Sequence, residues 1–353
     1  APEPAPVIKA DAYGHGLPQV ARTLDEAGAR TLCVGSVEEA VALRNTYAHR
    51  IIALLGPLDA ADAAAVAAHD LVPYVYRRDQ LAWLAEAART AGRPVRLALK
   101  FDTGMSRLGF RGPDVPQLAE FLRVHPELRL ELAASHLATA DEPGQAGYVL
   151  GQKEEFDGIC AQLTAAGFSF ARTLGNSAGL LAFPELRYEL QRPGIALYGT
   201  NPFVGTPLAS LGERLRPAMS VRTVAVQVHP VSAGQSVSYG RTFIAERDMQ
   251  VAVIAAGYAD CYSRALTGKA EVMIRGRRAK VLGRVCMQLT AVDVTDIPGV
   301  EAGETVWLLG GDGERPVTPD ELAAWWGTIT YEVFCLLGLN KREFVGEGER
   351  EEN

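Results

Sequence analysis

The sequence lacks the features that mark membrane, secreted or nucleic-acid-binding proteins. No apolar run approaches the roughly 18 residues that a membrane span needs, and no charged-then-apolar leader precedes the first motif. The 353 residues carry a net charge of −7, and no basic stripe is interleaved with aromatic residues. We therefore expect a cytoplasmic protein that binds neither a membrane nor nucleic acid.

Cysteine is also scarce, and its spacing excludes two further classes. The five cysteines are Cys33, Cys160, Cys261, Cys286 and Cys335. They are odd in number and widely spaced, so they fit neither a disulfide framework nor the paired spacing of a zinc site. We predict a reduced protein that holds no metal.

Short apolar runs alternate with helical patterns over about the first 200 residues. The eight strand candidates are residues 7–9, 31–34, 51–55, 71–76, 95–101, 128–135, 171–174 and 188–192. A helix candidate follows each of the first seven, and one of these helices begins with a capping box formed by Ser36 and Glu39. This alternation predicts a parallel sheet, and eight units favour a closed (β/α)₈ TIM-type barrel. A doubly wound open sheet is the competing interpretation.

The pattern changes after residue 193. Residues 193–217 are rich in Pro and Gly, and later runs at 220–228, 249–256, 270–276 and 289–294 alternate with the period of two that is typical of strands. Two helical patterns, Pro319–Trp326 and Thr330–Leu337, follow near the end. We predict a barrel domain over residues 1–214 and a mainly β domain over residues 215–353.

Polar residues fall at the carboxyl ends of the predicted barrel strands, where barrel enzymes keep their chemistry. These residues are Lys9, Lys100, Arg107, His136 and Arg192, together with Asn176, Ser177, Gly194 and Ile195 after the last two strands. The loops after strands seven and eight are those with which barrels most often bind phosphate. The pattern therefore predicts a phosphorylated ligand with two or three cations around it.

Each of these residues also has an ordinary structural explanation. A lysine at a strand end is usually a solvated cap, and a lone His136 is more often a hydrogen-bonded structural residue. Asn176 with Ser177 fits a helix N-cap, and Arg192 fits a surface ion pair. We favour the functional interpretation because the ordinary explanations do not predict that all of them share one rim.

The segment around Lys9, VIKADAYGHG (7–16), resembles the cofactor-lysine motif of the alanine racemase family. Further matches cover nearly the whole chain: LKFDTGMSRLGF (99–110), SHLATADE (135–142), NSAG (176–179), QRPGIALYG (191–199), SVSYG (236–240), GYADCYSR (257–264), GRVCM (283–287) and YEVFC (331–335). The resemblance implies a pyridoxal 5′-phosphate (PLP) enzyme that interconverts L- and D-alanine and supplies D-alanine for peptidoglycan. It also implies a homodimer with composite active sites.

The resemblance assigns the cofactor contacts residue by residue. Lys9 would hold PLP covalently, Arg192 would face the pyridine nitrogen, and Asn176 lies in the matching NSAG motif. The phosphate would be bound by Tyr13, Ser177, Gly194, Ile195 and Tyr331.

The same resemblance assigns the groups that act on the substrate. Lys9 would be the base on one face, and Tyr239 of the partner subunit the base on the other, with His136 bridging Tyr239 and Arg192. The substrate would be met by Arg107 and by the backbone of Met287, also from the partner. Tyr258 would line the entrance, and Lys100 matches a position that is carbamylated in some members.

Racemisation explains these residue types. Its chemistry needs an electron sink, which PLP supplies, and one base on each face of the substrate. The reference pKa of tyrosine, about 10, is too high for a base near neutrality, so we expect Arg192 and His136 to act as cations that favour the phenolate. An arginine at the ring nitrogen leaves that nitrogen unprotonated, which disfavours transamination.

Three features depart from the family pattern. The family commonly has Asp after the Cys-Met pair, where this sequence has Gln288, which bears on substrate preference. The ending LGLNKREF (337–344) replaces the usual Arg-Pro ending. The sequence starts at APEPAP without a Met, so we expect that a preceding strand and helix have been lost or left out.

Three alternatives stay open. A broader amino acid racemase, acting on serine or dibasic amino acids, differs only in pocket shape. A PLP-barrel decarboxylase is expected to have a carboxylate in place of Arg192. A non-catalytic PLP carrier predicts the barrel alone, without a β domain that carries Tyr239.

Overall fold

The computed structural model describes residues 2–345, which form two compact bodies. The barrel body comprises residues 2–12 and 16–216, and the β body comprises residues 13–15 and 217–345. Among the helices of residues 2–345, none combines the length and the apolar character that a membrane crossing requires.

The barrel body contains eight parallel strands. They are β1 Glu3–Pro4, β2 Thr31–Val34, β3 Arg50–Ala53, β4 Val72–Val75, β5 Val95–Lys100, β6 Leu128–Ala134, β7 Ala171–Thr173 and β8 Leu190–Gln191. Strands β2 to β7 pair in order, and β1 pairs with β8. The ring closes because Val7 bridges Cys33 and the amide of Arg192 donates to the carbonyl of Gly175. The predicted TIM-type barrel is confirmed, and the open-sheet alternative is not.

Helices alternate with these strands along the chain, as the sequence predicts. They are Leu17–Glu26, Val37–Arg44, Ala60–Ala68, Arg78–Ala91, Val115–Val124, Ala146–Ala165 and Ser177–Ala182. Short 3₁₀ turns are Gly112–Asp114, Pro143–Gln145, Pro184–Leu186, Ile195–Tyr198 and Ala209–Gly212. The capping box of Ser36 and Glu39 is present, with each side chain bonded to the other residue's backbone amide.

The first strand is where the sequence-based prediction is wrong. The apolar run 7–9 is not a strand: β1 lies earlier, at Glu3–Pro4, and Val7 contributes a single bridge. Glu3 fixes this short strand because its carboxylate accepts a hydrogen bond from Arg50 at 2.6 Å, while Arg50 also donates to Glu131 at 2.8 Å. An ion-pair network thus holds a Pro-rich segment that has no apolar pattern of its own.

The β body is built around a closed antiparallel barrel of six strands. The strands of this body are β9 Val221–Val231, β10 Ser236–Val237, β11 Phe243–Ile244, β12 Met249–Ile254, β13 Glu271–Ile274, β14 Arg277–Leu282, β15 Thr290–Asp293 and β16 Thr305–Leu309. The barrel order is β12-β15-β14-β13-β16-β9, and β10 with β11 forms a separate hairpin. Helices Pro319–Trp326 and Thr330–Leu337 follow, as predicted, and 3₁₀ turns lie at Tyr239–Arg241, Tyr258–Asp260 and Arg264–Leu266.

Candidate active site

Lys9 lies at the carboxyl ends of the barrel strands and begins an unusual turn. Ala10, Asp11, Ala12 and Tyr13 all have φ between 52° and 55°, the left-handed region that residues with a Cβ avoid. The backbone just before Lys9 is fixed on both sides, because the amide of Val7 donates to Pro193 and that of Ile8 donates to Cys33. Lys9 therefore stands beside the ends of β2 and β8.

Two carboxylates hold the left-handed turn. Glu39 accepts the amide of Ala10 at 2.8 Å, and Asp11 accepts the amide of Leu17 at 2.7 Å. Gly35 lies against the same place: a Cβ on it would come within 2.9 Å of the Glu39 carboxylate and 3.4 Å of the Lys9 Cβ. The sequence indicates Glu39 as a capping residue but gives no sign of its bond to Ala10.

Arg192 is the central buried cation of the rim, at 4% exposure. Nη1 donates to the hydroxyl of Thr173, and Nη2 donates to the carbonyls of Ser135 at 2.6 Å and Leu174 at 3.3 Å. Nη2 also lies 3.4 Å from Nδ1 of His136. None of the hydrogen bonds that Arg192 makes within the described barrel residues uses Nε, so this N–H stays available to an acceptor in the site.

His136 sits beside Arg192 as a neutral ring. Burial lowers the pKa of His136 well below its usual value, and Arg192, Lys100, Arg107 and Lys9 lower it further by repulsion. A ring that accepts from Arg192 at Nδ1 carries its proton on Nε2. The expectation that His136 acts as a second cation is therefore wrong.

Lys100 is buried at the end of β5, at 7% exposure, and its amine donates to the carbonyl of Phe101 at 2.5 Å. Burial, and then the charge of Arg192, lower the pKa of Lys100 to about 7. The loop after β5 presents Arg107, which is exposed in this chain. Asp102 shapes that loop by accepting the amides of Gly104 and Ser106 at 3.1 and 2.9 Å.

The loops after β7 and β8 form one hydrogen-bonded unit. The Ser177 hydroxyl accepts the amides of Gly194 at 2.9 Å and Ala196 at 3.2 Å. Asn176 is the N-cap of the helix Ser177–Ala182, since its side chain accepts the amide of Gly179 at 2.9 Å. The structural explanation of Asn176 thus holds, and its carbonyl oxygen is committed to the cap. Ile195 begins the following 3₁₀ turn, directly after Gly194.

The remaining predicted site residues lie in the β body. The rings of Tyr13 and Tyr331 are 5.9 Å apart, and His15 packs edge-on against Phe334 at 5.0 Å. Gly14 is required here, because a Cβ on it would lie 2.3 Å from the carbonyl of Phe334. The last part of the lysine motif, Tyr13 to His15, therefore packs on the helix Thr330–Leu337.

Three further predicted residues project from the β body into solvent in the single chain. Tyr239 is 68% exposed, Met287 is 58% exposed and Tyr258 is 42% exposed. Tyr258 and Met287 belong to adjoining loops, because the amide of Tyr258 donates to Cys286 and that of Ala259 donates to Met287. The contribution of Tyr239 and Met287 to a partner's active site stays a prediction.

The barrel rim has residues that sequence reasoning missed. Thr173 and Ser135 hold the guanidinium of Arg192, and the Ser135 hydroxyl also lies 2.8 Å from that of Thr103. All three are buried. Their signal in the sequence is a polar residue at the carboxyl end of an apolar barrel strand.

Comparison with known proteins identifies the family of both bodies. Residues 1–202 match the family model of the alanine racemase N-terminal domain, and residues 218–344 match that of the C-terminal domain. The chain belongs to the alanine racemase family. The family resemblance read from the sequence is confirmed, and a racemase is an isomerase.

Individual members of the alanine racemase family are similar over almost the full chain. Alanine racemase of Nitratidesulfovibrio vulgaris (strain DSM 19637 / Miyazaki F) is 55% identical over 97% of this chain and 91% of its own length. Alanine racemase of Lawsonia intracellularis is 42% identical over 96% of this chain and 90% of its own. The crystal structure of alanine racemase from D-cycloserine-producing Streptomyces lavendulae has a TM-score of 0.88 at 34% identity, covering 95% of this chain and 88% of that one.

A family member solved with a bound ligand is similar too. The alanine racemase of Bacillus anthracis, solved with bound L-Ala-P, has a TM-score of 0.86 at 31% identity and covers 95% of this chain and 86% of that one.

Proposed function

We propose that this chain interconverts L- and D-alanine with PLP held on Lys9, supplying D-alanine for peptidoglycan from a cytoplasmic homodimer. The observation that carries the proposal is the buried guanidinium of Arg192, fixed beside neutral His136 on the rim where Lys9 stands. An arginine in that place is expected of a racemase, whereas a PLP decarboxylase is expected to have a carboxylate there. The names of the related proteins support alanine as the substrate.

The donor set of the barrel rim fits PLP. The Ser177 hydroxyl accepts the amides of Gly194 and Ala196, so its own hydrogen can be donated to a phosphate. By family resemblance, the Tyr13 and Tyr331 hydroxyls would complete the binding of the phosphate. The Nε of Arg192 would meet the ring nitrogen, and Lys9 would hold the aldehyde carbon. When bound, PLP supplies the electron sink that stabilises negative charge at the substrate α-carbon.

The residues of this chain then divide the proton transfers. Lys9 takes or returns the α-proton on one face, and the Tyr239 hydroxyl of the partner subunit does so on the other. Arg192 supplies the positive charge that favours the phenolate, and His136, being neutral, can pass a proton through Nε2. Arg107 binds the substrate carboxylate, with the backbone of the partner's Met287, and Tyr258 lines the entrance.

A direct assay tests this function. The protein is incubated with PLP and a panel of L-amino acids that includes alanine, serine, lysine and arginine, and D-product is quantified by chiral chromatography. We expect D-alanine to form much faster than any other D-amino acid. Comparable formation of D-serine or D-lysine would instead establish a broader racemase, and no D-product at all would contradict the proposal.

A further inference from the structure

Ser238, the residue before Tyr239, has a backbone conformation that is almost reserved for glycine. Its φ is 66° and its ψ is −178°. Positive φ with extended ψ brings the Cβ of an L-residue against its own backbone, so this region is populated essentially by glycine. Such strain persists only where surrounding contacts impose it, and it concentrates at functional sites.

The contacts that impose it come from the segment after β14. The Ser238 hydroxyl donates to the carbonyl of Arg284 at 2.7 Å and lies 3.5 Å from the thiol of Cys286. Gly283 allows the approach, because a Cβ on it would come within 2.6 Å of the Val237 carbonyl and 2.9 Å of the Ser238 Cβ. The hydrogen bond from the Ser238 hydroxyl to Arg284 therefore connects this segment to the residue before Tyr239.

The same segment also supports the residue after Tyr239. Gly240 has a φ of 72°, and a Cβ on it would lie 3.0 Å from the guanidinium carbon of Arg284. Tyr239 thus stands between two residues of positive φ that both pack on one short stretch. Its own side chain is exposed, so the single chain gives the ring little support of its own.

The base of the loop is anchored in the core of the β body. Val237 pairs with Phe243 across the β10–β11 hairpin and is packed with Val231, Met249 and Leu282. The loop 238–242 therefore has a fixed origin, and the direction in which Tyr239 projects depends on the φ and ψ of Ser238.

We propose that Ser238 is a positioning residue that aims Tyr239 by holding a strained backbone through its hydroxyl. This inference rests on the proposed function of Tyr239 as the second base. Ser238→Ala keeps the Cβ that disfavours the conformation and removes the bond that holds it, so the loop relaxes and Tyr239 is misplaced. Ser238→Gly removes the bond but also the strain, so the conformation stays accessible.

The test uses α-proton exchange, which separates the two bases. Each PLP-loaded dimer is incubated in D₂O with L-alanine or D-alanine. NMR measures the deuterium at the α-carbon of the starting enantiomer that has not been inverted, and chiral chromatography measures the inverted product. A dimer with an intact Lys9 face and an impaired Tyr239 face should exchange one enantiomer without inverting it. The opposite enantiomer should neither exchange nor invert. General damage lowers exchange and inversion together.

We expect Ser238→Ala to slow inversion by about tenfold or more, the effect of releasing one strained residue, and to show the same one-sided exchange as Tyr239→Phe. Ser238→Gly should recover part of the inversion rate. Thr223→Val is the matched control: Thr223 donates to the carbonyl of Ala255 at 2.7 Å in the same body, and its variant should behave as wild type.

The outcomes separate the inference from the function on which it rests. If Tyr239→Phe fails to give one-sided exchange, the assignment of Tyr239 as a base is wrong. If Tyr239→Phe gives it but Ser238→Ala loses exchange of both enantiomers equally, or inverts at the wild-type rate, the positioning role of Ser238 is wrong while the racemase function stands.

Discussion

The carboxylate of Glu39 accepts the backbone amide of Ala10, the residue after Lys9, at 2.8 Å. Its other oxygen accepts the amides of Gly35 at 2.7 Å and Ser36 at 3.3 Å. One side chain thus caps the helix Val37–Arg44 and anchors the left-handed turn that begins at Lys9. Both carboxylate oxygens are needed, because one accepts the amide of Ala10 and the other accepts the amides of Gly35 and Ser36.

Glu39→Gln should lower the stability of the fold and loosen the turn that positions Lys9. The amide nitrogen that replaces one oxygen cannot accept a hydrogen bond, so at least one backbone N–H loses its acceptor, at a cost of about 1 to 2 kcal/mol. We expect a lower apparent Tm and faster loss of PLP on dialysis. Glu38→Gln is the control, since Glu38 is an exposed neighbour in the same helical turn. Equal behaviour of the two variants would contradict the role of Glu39.

Lys9 is expected to carry the cofactor. Borohydride reduction of the PLP-loaded protein, followed by peptide mapping, should place the pyridoxyl group on Lys9. That lysine lies on the same barrel rim as the loops after β7 and β8, which are proposed to bind the phosphate. Lys9→Ala should lose the label while Ser177 and Arg192 remain in place. Label on Lys100, the buried lysine of the same rim, would overturn this assignment.

The sequence predicted most barrel strands to within a few residues, because parallel strands buried on both faces appear as short apolar runs. Strand β2 is an example: residues 31–34 were predicted, and Thr31–Val34 is observed. Glu3–Pro4 was missed because the ion pair between Glu3 and Arg50 and backbone hydrogen bonds to residues 189–191, rather than an apolar run, hold it. The left-handed turn after Lys9 was unpredictable, since backbone preference opposes it and the bond that anchors its start comes from Glu39, far along the chain.

In the candidate site too, some features could be predicted from the sequence and others depend on the folded chain. The strand-end position identified Lys9, Lys100, His136 and Arg192, because barrel topology brings all strand ends to one rim. The protonation state of His136 was predicted wrongly, since burial and the surrounding cations are properties of the folded chain. The backbone strain at Ser238 was likewise invisible in the sequence, where SVSYG gives no sign of a positive φ.

Arg192→Glu should redirect the reaction rather than simply stop it. A carboxylate at the ring nitrogen favours its protonation, which strengthens the electron sink and promotes transamination. We expect slower racemisation and a measurable rise in 2-oxo acid formed per racemisation turnover. Arg192→Lys is the control, since it keeps a cation and should slow racemisation without raising 2-oxo acid. An unchanged ratio in Arg192→Glu would show that the charge at this position does not govern the outcome.

Lys100 should be carbamylated at neutral to alkaline pH. Only a neutral amine reacts with CO₂, and the pKa of Lys100, lowered to about 7, makes the neutral form dominant above that pH. Protein equilibrated with ¹³C-bicarbonate should show a carbamate signal by NMR at pH 8.5 that fades as the pH falls below 7. Lys100→Arg should lack the signal, while Lys153→Arg, at an ion-paired lysine on the barrel surface, should retain it. Persistence of the signal in Lys100→Arg would place the carbamate elsewhere.

The active site is expected to be shared between two chains, with Lys9 from one and Tyr239 from the other. Lys9→Ala and Tyr239→Phe should each be nearly inactive as separate dimers. Mixing equal amounts under conditions that exchange subunits makes about half of the dimers mixed, and each mixed dimer has one site with both bases and one with neither. Activity should therefore recover to roughly a quarter of the wild-type value.

If both bases came from one chain, every site in a mixed dimer would lack one of them, and no recovery would follow. Subunit exchange is verified by tagging one variant and showing that the untagged variant is purified together with it. No recovery despite proven exchange would refute the shared site and leave the chemistry of Lys9 and Arg192 untouched.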